Sequence, residues 1–122
     1  MALDQYRGKL SRALLDRFDL VVALPRPRAT ELAARPGETS APVRERVTAA
    51  RERLSADQLP LAPPAEELLA RAVDRLPLSG RGRARVARVA RTIAALAGAE
   101  QIAAEHVAEA LSYRSPAELA SQ

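Results

Sequence analysis

Arginine is the residue type in this chain best placed to do chemistry. Arg17 stands in Leu14-Leu-Asp-Arg-Phe-Asp-Leu20, where a helical pattern gives way to an apolar run. A guanidinium at such a junction is displayed at the rim of a layer, stays charged at any physiological pH, and suits a phosphate oxygen. The plainer reading is a surface arginine paired with Asp16 or Asp19. A second group follows: Arg81, Arg85 and Arg88 lie at i, i+4 and i+7 and so line one helix stripe. Arg81 falls in the first turn, where unpaired backbone N–H groups and the macrodipole favour an anion. Phosphate or nucleic-acid contact is one reading of that stripe, and a solvated basic face is the other.

Most other chemistries are closed by residue usage. With no cysteine there is no disulfide framework, no CxxC redox site and no thiolate zinc site. His106 is the only histidine, so neither a metal centre nor a Ser-His-Asp triad is expected, and His106 itself reads as a bundle residue. The five glycines are dispersed, and G-x-x-x-x-G-K-[ST] is absent, as is an apolar strand ending in Asp-Glu. This sequence therefore lacks the parts that cradle a triphosphate and its magnesium.

The elements that would position these arginines can be read from spacing. Leu10, Ala13, Leu14 and Phe18 suggest a helix over 4–18. Leu20, Val21, Val22 and Leu24 form an apolar run ended by Pro25, the pattern of a strand buried on both faces that needs partners from outside the sequence given. A Pro-, Gly- and Ser-rich linker follows, with a short helical turn expected near Thr30–Ala34. Helices are then expected over 42–54, with Ser40 as cap, and over 65–76, 80–97 and 103–113. Ser79 is the expected N-cap of the third of these and Gly98 its stop. Ser115-Pro-Ala-Glu118 suggests a terminal helix. The expected fold is mostly α: a helix and one orphan core β-strand in residues 1–27, a linker at 28–41, and a helical bundle over 42–122.

Composition agrees with that class. Of 122 residues 48% are hydrophobic but only 2% aromatic, so alanine and leucine carry the apolar set, and helix is favoured over a sandwich. A net charge of +4 is compatible with an anionic partner. No apolar run reaches the ~18 residues of a membrane span and no signal-peptide core is present, so a cytoplasmic location is expected.

Tyr6-Arg-Gly-Lys-Leu-Ser11 followed by Leu14-Leu-Asp-Arg-Phe-Asp-Leu20 resembles the end of a AAA+ ATPase core. Leu78-Ser-Gly-Arg-Gly-Arg83, Arg88-Val-Ala-Arg-Thr-Ile-Ala-Ala-Leu-Ala-Gly98 and the ending from Ile102 to Arg114 resemble the lid of the ComM-type, magnesium chelatase-like branch. The resemblance runs from Tyr6 to Arg114, although Ser11 is followed by Arg12-Ala13 where family members usually show Gly-Pro. It implies that Arg17 is the arginine finger reaching a neighbour's nucleotide and that Arg81 is the sensor-2 arginine of the same subunit. Val21–Leu24 would be the last core strand, and the helices after Ser40 the lid. It further implies ATP with Mg2+ as cofactor, bound mainly by core residues this sequence lacks. A homo-hexameric ring acting on DNA is implied as well, together with little or no ATPase activity by this chain alone. The alternative is a free-standing basic helical module that binds nucleic acid through Arg81, Arg85 and Arg88.

Overall fold

The computed structural model describes residues 18–22, 24–34, 37–56, 59–76 and 78–113. The expected helix over 4–18, except its last residue, and the expected terminal helix after Ser115 lie outside them. The described residues form five helices: α1 (Ala29–Leu32), α2 (Ser40–Ser55), α3 (Pro63–Arg75), α4 (Gly80–Leu96) and α5 (Ala104–Ser112). The long helix α4 is central, packing against α2 on one side and α5 on another, while α5 also meets α3.

Helix ends follow local chemistry closely. Ser79 Oγ accepts from the Gly82 amide at 3.1 Å and starts α4 as expected. At the other end Ala99 N donates to Ala94 O and Gly98 N to Ala95 O, the paired bonds of a Schellman stop, with Gly98 at φ +73°. Two expected starts were late. Helix α2 begins at Ser40 after an N-cap position at Thr39, rather than being capped by Ser40. Helix α3 begins at Pro63, because Pro63 and Pro64 occupy the first turn, where a missing N–H costs nothing and a fixed φ fits.

The core is made of small side chains. Ala65, Leu69, Ala90, Ala94 and Val107 are fully buried, joined by Val86, Val89, Ile102 and Ala110. Two loops are stitched beneath them by a parallel bridge between Leu61 and Ile102, with Ala62 N donating to Ile102 O at 2.9 Å and Ile102 N to Pro60 O at 2.8 Å. No sequence pattern announced that bridge.

The strand expected across Leu20–Leu24 forms no ladder among the described residues. Val21 N donates to Tyr113 O at 3.0 Å, and Phe18, Leu20, Val22 and Leu24 stay half to mostly exposed. A strand has no geometry to hold without a neighbouring strand. No helix among the described residues is long and apolar enough to cross a membrane.

Two glycine substitutions should move stability in opposite directions. Gly80→Ala adds a methyl into open space in the first helical turn and should stabilise by about 0.4–1 kcal/mol. Gly98→Ala demands a positive φ from a residue with Cβ and should destabilise by about 1–2 kcal/mol. Urea unfolding of the two variants against the parent reads both signs.

Candidate functional site

Arg81 projects from the first turn of α4 and is exposed. The first four amides of a helix have no intrahelical acceptor, and here the Ser79 side chain accepts from one of them, the Gly82 amide. The first turn of α4 contains no acidic residue, whereas α3 and α5 carry Glu66 and Glu105 at the same place. Two arginines, Arg81 and Arg83, thus sit where the macrodipole is already positive. That end of α4 is electrostatically suited to an anion.

The other two arginines of the stripe behave differently. Arg85 is buried, with 5% of its surface exposed, so it is not presented to solvent beside Arg81. Its Nε lies 3.9 Å from Asp19 Oδ1. Arg88 is exposed and grips the same carboxylate with two donors: Nη2 to Oδ1 at 2.9 Å and Nε to Oδ2 at 3.4 Å. The hydrogen bond to Asp19, and secondarily its negative charge, raise the Arg88 guanidinium further above its ordinary range. The expected stripe of three phosphate contacts is therefore not one open face. Helical spacing puts the three side chains in a row, but the segment at Asp19 lies over the row's middle and end.

Arg17 lies outside the described residues, so its separation from Arg81 is not fixed here. Asp19, one of its two candidate partners in sequence, is engaged by Arg85 and Arg88.

Asp19 is the site residue that sequence reasoning missed. It meets Arg88 across 69 positions, a separation at which no spacing rule operates. Next to it, Leu20 and Val22 line an open groove of about 460 Å³ with Leu54, Val89, Leu96 and Tyr113. Two further arginines tie α2 to α4 reciprocally. Arg91 Nη2 donates to Leu54 O at 2.8 Å near the end of α2, and Arg53 Nη1 donates to Ala99 O at 3.2 Å just past α4. Both relieve carbonyls near helix C-termini.

His106 is buried, as its reading as a bundle residue required. Its Nδ1 accepts from the Ala103 amide at 2.8 Å, closing the start of α5 from inside the helix. An accepting Nδ1 has no proton, so the neutral ring carries its hydrogen on Nε2. Among the described residues no group of three or more His, Cys, Asp or Glu side chains is arranged to hold a metal ion.

Residues 55–114 match the family described as magnesium chelatase, subunit ChlI C-terminal. The chain is 38% identical over 127 residues to the uncharacterized protein YifB of Salmonella typhimurium, covering 90% of this chain and 25% of that protein. It is 37% identical over 127 residues to the competence protein ComM of Haemophilus influenzae, again over 90% of this chain and 25% of ComM. An uncharacterized protein of Mycobacterium tuberculosis is 40% identical over 129 residues, with 26% of its length covered. The chain thus spans about a quarter of the length of the curated relatives it matches.

Nitrogen-15 NMR of His106 should report the Nε2–H tautomer at neutral pH. His106→Ala should cost about 1 kcal/mol through loss of this cap, measured by thermal or urea unfolding.

Proposed function

We propose, from the premise that the chain belongs to the ComM-type, magnesium chelatase-like family of AAA+ proteins, that its helices form the lid of an ATP-hydrolysing ring. In this reading Arg81 is the sensor-2 arginine, contacting the γ-phosphate of the nucleotide in its own subunit. Arg17 is the finger that reaches the nucleotide of a neighbour. ATP with Mg2+ is the cofactor, held mainly by a nucleotide-binding loop and metal-binding strand that this sequence does not contain. The catalysis is electrostatic: two guanidiniums flank a transferring phosphoryl group and offset the charge on its oxygens.

The observation that carries the reading is Arg81 on the open, positively poled end of α4, with no acid in that turn to neutralise it. A guanidinium there gains from an anion what the helix end alone cannot supply. The exposed Val22 and Leu24 support a second element of it, because an apolar segment with no ladder suits the last strand of a sheet formed with other residues.

The ring is a homo-hexamer in this reading, as the resemblance implies, and a finger in trans completes each site only when a neighbour is seated. Its work in this reading is the remodelling or movement of DNA, as the resemblance to the ComM-type family implies. We place it in the cytoplasm. The reading as a free-standing nucleic-acid module through Arg81, Arg85 and Arg88 loses support from the burial of Arg85.

In the intact ATPase, Arg17→Ala should lower kcat by about 10³-fold or more while leaving nucleotide affinity nearly unchanged. Arg81→Ala should weaken nucleotide binding or turnover by about 10- to 100-fold, the loss of one charged hydrogen bond to phosphate. Steady-state hydrolysis with an equilibrium binding titration separates the two, and full turnover by Arg17→Ala would overturn the finger assignment.

A further inference from the structure

The segment just after Arg17 is fastened to the lid at three kinds of contact, each with a different partner. Asp19 is held by two arginines of α4, Arg88 through both carboxylate oxygens and Arg85 at 3.9 Å. Val21 N donates to Tyr113 O at the end of α5. Leu20 and Val22 border the apolar groove whose other walls include Leu54 and Leu96. The strap therefore crosses from α4 to α5, and its polar clasp lies on the helix whose first turn carries Arg81.

The clasp differs in kind from a scattered surface ion pair. An exposed pair usually contributes little, because it is screened and its side chains lose freedom. Here one of the two guanidiniums is 6% exposed in its side chain, and the carboxylate 3.9 Å away adds favourable charge to a buried cation, where screening is weaker than at the surface. Arg88 adds a two-donor grip that fixes the direction of the carboxylate and hence of the backbone beside it.

We propose that Asp19 is a positioning residue: by clasping Arg85 and Arg88 it makes residues 19–21 part of the lid, so that the Arg17 finger and the Arg81-bearing helix move together. This rests on the function proposed above for its consequence in hydrolysis, but the fastening itself is a property of the chain. The consequence is coupling. A lid that shifts when its own nucleotide meets Arg81 carries with it the segment from which Arg17 reaches the next subunit. Asp19 touches no nucleotide in this scheme.

The test has one arm on the chain and one on the ATPase. In the 122-residue chain, amide exchange at Val21 reports the strap and amide exchange at Ile102 reports the core. Asp19→Asn and Arg88→Ala should each speed Val21 exchange by about tenfold, the loss of a charge-assisted hydrogen bond, with Ile102 unchanged. The double variant should do little more than either alone, and Asp19→Glu should restore slow exchange at least in part. Unchanged Val21 exchange in Asp19→Asn overturns the fastening, whatever the ATPase does.

In the intact ATPase, Asp19→Asn should lower kcat severalfold with nucleotide affinity held, and Asp19→Glu should recover turnover. If Arg17→Ala abolishes hydrolysis but Asp19→Asn leaves kcat intact, the coupling is overturned while the proposed function stands. If Arg17→Ala itself leaves turnover intact, the proposed function falls and the coupling falls with it.

Discussion

A core built largely on buried alanine is the constraint from which the rest of this bundle follows. Helix α4 turns Ala90, Ala94 and Ala95 inward, and Ala65, Ala72 and Ala110 are buried on α3 and α5. Side chains this small let helix backbones approach closely, but each contributes little apolar area, and among the described residues only Leu69 and Val107 are large and fully buried. A core of that kind cannot hold helix positions by interdigitating bulk. Orientation has to come from the ends of the helices.

The polar pins at those ends are accordingly numerous and specific. Ser79 starts α4, the Gly98 turn stops it, and His106 closes α5 through its own ring. Arg53 and Arg91 each cross to carbonyls at the other helix's end, fixing α2 against α4 at two points. The bridge between Leu61 and Ile102 sets the entries of α3 and α5 side by side. Each pin acts where a helix leaves backbone groups unsatisfied, so one bond both relieves that group and fixes an angle. The same economy reaches the site: the clasp of Asp19 on Arg88 and Arg85 brings a segment from before the bundle into register with it.

The result is a scaffold with one end left open. The start of α4 is capped for the backbone yet carries Arg81 and Arg83 and no acid. Alongside, Arg88 grips Asp19 and the buried Arg85 lies 3.9 Å from it, so the helix divides into an outward-facing tip and a clasped middle. Under the proposed function, that division leaves one part free to meet a phosphate while the other transmits the movement.

The elements of the bundle were legible in the sequence because their signals are local. Apolar residues at helical spacing, Ser79 before the glycine-arginine run, and Gly98 after it mark α4 to within a residue, since each acts on backbone within one turn. The early starts of α2 and α3 were missed where proline or threonine stood at a boundary that more than one start satisfies. For the site, sequence placed Arg81, Arg85 and Arg88 on one stripe and drew attention to Arg17, which helical geometry and the family pattern both allow. What it could not decide is which of those arginines reaches solvent. Periodicity places a side chain on a helix face but says nothing of what lies over that face. Only the tertiary structure brought Asp19 across 69 positions to grip Arg88 and buried Arg85 beside it, leaving Arg81 outward. A carboxylate's choice between arginines depends on distance and desolvation, and both exist only once the chain has folded.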